Sequence, residues 1–134
     1  MRAHVLVLSA LLALTVVGSS GCLVAAVGVG AAGTVAYMAG DLETQVSQDL
    51  DTLYAASREA LESLELNLIE GKGGKDSLSA TLIARDVQDK KVQIKMTAVT
   101  NELTELSIRV GVFGDETKSQ LIYQEILKSL PENV

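Results

Sequence analysis

The first 22 residues constrain this chain more than any other stretch. Met1 to His4 carry one fixed positive charge on Arg2. Val5 to Val17 is an apolar run broken only by Ser9 and Thr15, and four small residues, Gly18 to Gly21, lead to Cys22, the only cysteine. Charged, then apolar, then small is the order of a secretory signal peptide. The apolar run is too short to cross a hydrocarbon core of ~30 Å as a helix. The expected organisation is therefore a signal peptide over 1–21, a Gly/Ala-rich membrane tether over 22–40, a small domain over 41–131 and a tail over 132–134.

Ser20-Gly21-Cys22 resembles a bacterial lipobox, although Ser19 stands where such signals usually carry Leu. The resemblance implies cleavage between Gly21 and Cys22, a diacylglyceryl group on the thiol and an acylated new amine. Cys22 is thus the expected lipid-attachment site and the lipid the expected link to the membrane. Leu23 is not the Asp that signals inner-membrane retention in such proteins. The resemblance therefore implies the outer membrane, facing the periplasm, in a host with two membranes.

Leu23 to Ala39 is a second uncharged run, rich in Gly and Ala. Gly costs ~1 kcal/mol in a helix interior, which favours a tether over a membrane span. The alternative is an uncleaved protein in which small residues at four-residue spacing, Cys22, Ala26, Gly30 and Thr34, let two helices pack closely.

Removing residues 1–21 takes away Arg2 and no acid, leaving ten bases against 17 acids and a formal charge of −7. A domain this acidic has no electrostatic footprint for nucleic acid. It is also repelled by anionic lipid, so the acyl group has to supply the membrane affinity.

From Asp41 the patterning becomes that of a folded domain. Leu42, Thr44 and Val46 alternate with Glu43 and Gln45, which reads as a half-buried strand. Ser47 or Asp49 can cap a helix whose apolar stripe runs Leu50, Leu53, Tyr54, Ser57, Ala60, Leu61 and Leu64. Four alternating runs follow: Leu64 to Leu68, Leu78 to Ala84, Val92 to Ala98 and Thr104 to Val110. Turns are expected at Gly71 to Lys75, Asp86 to Asp89 and Thr100 to Glu102. Asp115 can cap a final helix carrying Ile122, Tyr123, Ile126, Leu127 and Leu130, with Pro131 past its end. The expected fold is α+β. It is a two-layer sandwich of about five antiparallel strands with two helices on one face, in the order β-α-β-β-β-β-α.

The segments SSGC, AYMAGDLE and TELSIRVGVFGDE, the last spanning Thr104 to Glu116, resemble a family of small bacterial lipoproteins known only as a domain of unknown function. Arg109 to Asp115, RVGVFGD, is the most specific part. The resemblance implies a cell-envelope lipoprotein and brings no activity with it.

Catalytic chemistry finds few residues. His4 is the only histidine and lies in the signal, and Cys22 would be acylated, so neither a Ser/His nor a Cys/His arrangement can form. Asp49 with Asp51, and Asp86 with Asp89, are the close acid pairs. Neither has calcium-loop spacing, and both read as structural or solvating. GKGGK, Gly71 to Lys75, lacks the Walker spacing, because position 69 is Ile and Lys75 precedes Asp76. No cofactor, no metal and no enzymatic activity are expected.

Arg109, Phe113 and Asp115 could form a partner-binding corner. The local alternative is that Gly111 and Gly114 permit a turn, Phe113 plugs the edge of the core and Asp115 caps the helix. The reading favoured by the sequence is a non-enzymatic envelope lipoprotein whose domain binds another envelope protein, self-associates or serves structurally. Binding of an apolar or lipidic ligand between sheet and helices is the alternative.

Overall fold

In the computed structural model, which describes residues 34–132, the sheet begins earlier than the charge pattern suggests. Strand β1 (Ala36–Met38) pairs antiparallel with β2 (Asp41–Val46) through a turn at Ala39 and Gly40. Helix α1 (Leu50–Ser63) follows, then β3 (Asn67–Lys75), β4 (Ser79–Arg85), β5 (Lys91–Thr100), β6 (Leu103–Val110) and helix α2 (Glu116–Ser129). The fold is α+β, with six antiparallel strands in the spatial order β1-β2-β6-β5-β4-β3 and two helices. The element order gains one strand over the five expected. That strand takes its residues from the stretch expected to be tether, so the sheet starts at Ala36 and not at Asp41. Residues 22–33 of the expected tether and the whole of 1–21 lie outside the described residues.

Alternation decides which side chains go inside. Leu82, Ile94, Ile108 and Leu42 stand in register across four strands, with Ala80, Met96, Leu106 and Thr44 in the next row. All eight are buried. Burying one Leu or Ile side chain stabilises the fold by ~1.5–3 kcal/mol, so the row of Leu and Ile from four strands dominates the sheet's contribution. The core joins these rows to Leu50, Leu53, Ala60 and Leu61 of α1 and to Ile122, Tyr123 and Ile126 of α2. Both helices therefore cover the same face. The opposite face carries Glu43, Lys95, Glu105, Ser107 and Arg109, as period-2 patterning requires.

Both helices start at the residues their sequence provides. The Asp49 carboxylate accepts from the Thr52 amide, and the Asp115 carboxylate accepts from the Lys118 amide. Each satisfies one of the orphan donors of a first turn.

Two local expectations need correction. GKGGK is not the hairpin turn but lies within β3, where the pairing with β4 slips between Leu68 and Gly73. Four residues of β3 face Ile83 alone, and Gly71 and Gly73 take φ of +79° and +116° to accommodate the bulge. The turn comes later, where the Asp76 side chain accepts from the amides of Leu78 and Ser79. Leu78, expected on the buried face, is consequently 67 % exposed. The second correction concerns Leu64, which ends α1 as its C-cap and does not open a strand; Glu65, at φ +55°, turns the chain into β3.

Candidate functional site

The three residues singled out as a corner come from one end of the sheet. Arg109 is the penultimate residue of β6 and lies in register with Asp41, the first of β2. Its Nε donates to Asp41 Oδ1 at 2.7 Å and its Nη2 to Asp41 Oδ2 at 2.9 Å, a two-pronged pairing. Nη2 also donates to the Ala39 carbonyl at 2.9 Å and Nη1 to the Val112 carbonyl at 3.1 Å. One guanidinium thus ties two strands to the two turns beside them. The hydrogen bonds from Arg109 hold the Asp41 carboxyl below its usual pKa, against a smaller opposing effect of burial.

The turns touch each other directly. A side-chain carbon on Gly114 would lie 2.3 Å from the Gly40 carbonyl oxygen and 2.6 Å from the Tyr37 hydroxyl. One on Gly40 would lie 2.5 Å from the Phe113 carbonyl oxygen. Gly114 also has φ +85°, which disfavours any L side chain. The loop after β6 is fixed at its other end by the Gly111 amide, which donates to the Lys91 carbonyl at 2.8 Å, and by the cap at Asp115.

This frame consumes two of the three corner residues. Arg109 spends its donors inside the molecule and Asp115 caps α2, so neither is a free recognition group. Phe113 does not plug the core edge: it is 92 % exposed, and Val112 beside it is 82 % exposed. A side chain at this position points away from the core because Gly111 and Gly114 reverse the chain on either side of it.

Two clefts share Val110 at this end of the sheet. One, of about 540 Å³, has Arg85, Lys90 and Lys91 on one side and Val110, Val112 and Phe113 on the other. Arg85 bonds to the Asp89 carbonyl at 2.7 Å. Among the described residues, Lys90 and Lys91 form no ion pair. Sequence reading passed over these two lysines, whose only signal was an adjacent pair straight after a turn. The second cleft, about 210 Å³, is lined by Leu64, Leu66, Val87, Val92, Leu121 and Ile122. At its rim the Lys118 ammonium bonds Asp86 Oδ2 at 2.7 Å, while Asp86 Oδ1 accepts from the Gln88 and Lys90 amides. The Lys118 contact is the main cause lowering the Asp86 pKa. Asp86 therefore builds the β4–β5 turn. Asp49 caps α1, so it too has a structural task.

Among the described residues, no group of three His, Cys, Asp or Glu could hold a metal ion, and no helix is long and apolar enough to cross a membrane. Gly21 and Cys22 lie outside the described residues.

Fold and site define a small α+β domain whose most distinctive surface is a braced apolar loop, not a constellation of reactive side chains. The chain belongs to the DUF3568 family of proteins of unknown function, whose profile matches residues 5–129. No curated protein matches it.

Proposed function

We propose that this chain is a non-enzymatic lipoprotein of the bacterial cell envelope. Cys22 carries the lipid, the residues that follow lead to the sheet at Ala36, and the domain acts as a binding or structural module at the membrane surface. In a host with two membranes, the outer membrane, facing the periplasm, is the proposed location.

The observation that carries the binding part is the braced loop. An exposed Val-Phe pair on a scaffold held by a two-pronged ion pair and a glycine–glycine contact is the arrangement expected of a contact surface. The apolar run ending in Ser20-Gly21-Cys22 supports the anchor, and the family match starts inside that run, at Val5. A ligand enclosed between sheet and helices has less support. The apolar cleft of about 210 Å³ is smaller than the ~300–1,000 Å³ typical of enclosing sites.

The intact mass of the membrane-extracted protein, measured beside Cys22→Ala, tests the anchor. The expected result is a chain starting at Cys22 with added acyl mass, lost in the variant. A chain that retains Met1 and no acyl mass would remove the lipoprotein reading and favour the uncleaved membrane protein.

A further inference from the structure

Phe113 is the only phenylalanine of the sequence, and it stands almost fully in solvent next to an equally exposed Val112. Isolated apolar side chains on a surface need no explanation. A pair at the tip of a loop calls for one when the loop cannot fold them away. Here Arg109 holds the Val112 carbonyl, Gly114 is pressed against Gly40, and Asp115 is fixed in the first turn of α2. The tip is held out. The wall facing it across the cleft bears Lys90 and Lys91, neither of which forms an ion pair among the described residues, beside the paired Arg85 and Asp89. Apolar side chains flanked by free ammonium groups match the layering of a bilayer surface, acyl chains inside and phosphates outside.

We infer that the Val112–Phe113 tip is a second membrane contact, through which the anchored domain docks on the bilayer that holds its lipid. The inference rests on the lipoprotein reading above. Two apolar side chains and two cations would hold a free domain on a bilayer only weakly. A tethered domain needs no more, because the tether keeps it at high effective concentration beside the surface. Thirteen residues, 23–35, separate Cys22 from the first strand, a reach of up to ~45 Å when extended, which lets the loop end of the sheet turn to the membrane. The acidity of the domain as a whole opposes non-specific adsorption, so contact is confined to the end bearing Lys90 and Lys91.

The sequence contains no tryptophan, so Phe113→Trp introduces a sole indole at the tip. The full acylated chain is reconstituted in vesicles of phosphatidylethanolamine and phosphatidylglycerol. Docking predicts blue-shifted emission and quenching by lipids brominated along their acyl chains. Leu78→Trp, in the turn at the opposite end of the sheet, should emit as in water. Adding Val112→Asp to Phe113→Trp should reduce quenching several-fold without detaching the chain. If the acylated chain sits on vesicles while the indole at position 113 remains water-exposed and unquenched, docking is overturned and the anchor stands. If the purified chain carries no acyl group, the anchor and the docking inference fall together.

Discussion

Replacing Gly114 by alanine should be far more damaging than its surface position suggests. Two effects act at once. The backbone at φ +85° disfavours an L side chain, and the added methyl would lie 2.3 Å from the Gly40 carbonyl oxygen and 2.4 Å from the Gly40 Cα. Both obstacles are backbone atoms, so no side-chain rotation relieves them, and the β1–β2 turn must move. A left-handed non-glycine residue costs ~1–2 kcal/mol, partly offset by ~0.4–1 kcal/mol from the stiffer unfolded chain. Overpacking against fixed neighbours adds ~1–3 kcal/mol, for a net loss of about 3 kcal/mol. For a domain of this size that corresponds to a Tm lower by roughly 12–24 °C.

Gly71 supplies the control. Its φ is similar, +79°, but nothing lies within 4 Å of an added carbon. Gly71→Ala should therefore cost no more than ~1 kcal/mol, the backbone contribution alone. Urea unfolding of both variants, followed by circular dichroism, gives the difference. Gly40→Ala strains the same contact from the other side, so the double variant should cost less than the sum of the singles. Equal losses for Gly114→Ala and Gly71→Ala would refute the argument, because the β1–β2 turn would then not be seated against the loop after β6.

Two further tests address polar groups. The Asp41 pKa is depressed in the folded chain, chiefly by Arg109, so its contribution is present above the unfolded value of about 3.9 and is lost as pH falls through the folded value. Asp41→Asn should lower Tm by several degrees at pH 7, by nearly the same amount at pH 5, and by progressively less below about pH 4; thermal melts across that range check the convergence. Tyr123 is fully buried and its hydroxyl, like that of Ser119, makes no hydrogen bond, while burial raises its pKa against a smaller opposing effect of the neighbouring Thr44 side chain. Tyr123→Phe should leave stability unchanged or raise it by up to about 1 kcal/mol; a loss larger than that would mean the hydroxyl is bonded after all, with Thr44 the neighbour to examine.

What could be read from the sequence was whatever repeats. The alternation in β2, β4, β5 and β6 survives into the structure almost residue by residue, because a one-residue slip would expose Leu42, Ile94 and Ile108 together. The caps Asp49 and Asp115 were legible because few residue types can end a helix N-terminus well. β1 was not. Three residues, AYM, carry no periodicity, and what seats them is the Gly40–Gly114 contact with a loop more than 70 positions away. GKGGK misled because glycines that allow a bulge look the same in sequence as glycines that allow a hairpin. At the corner, the residue types were recognised but their partners were not. That Arg109 would spend its donors on Asp41, Ala39 and Val112 follows from strand order, and strand order is not written locally. The exposure of Phe113 was hidden for a similar reason, since a lone aromatic beside a core strand is ordinarily buried.

The short strand β1 would have a mechanical consequence if the domain is held from its N-terminal side, as proposed above. Any pull on the chain upstream of Ala36 reaches the sheet through three residues at its edge, paired on one side only with β2. Those bonds can open in turn, lifting Tyr37 off the end of the row it shares with Leu42 and Ile108. Peeling then meets the turn at Ala39 and Gly40, where Arg109 grips one carbonyl and Gly114 blocks the other. Strand β1 would thus act as a fuse: its release frees three residues, or roughly 10 Å of chain, before load reaches the braced turn.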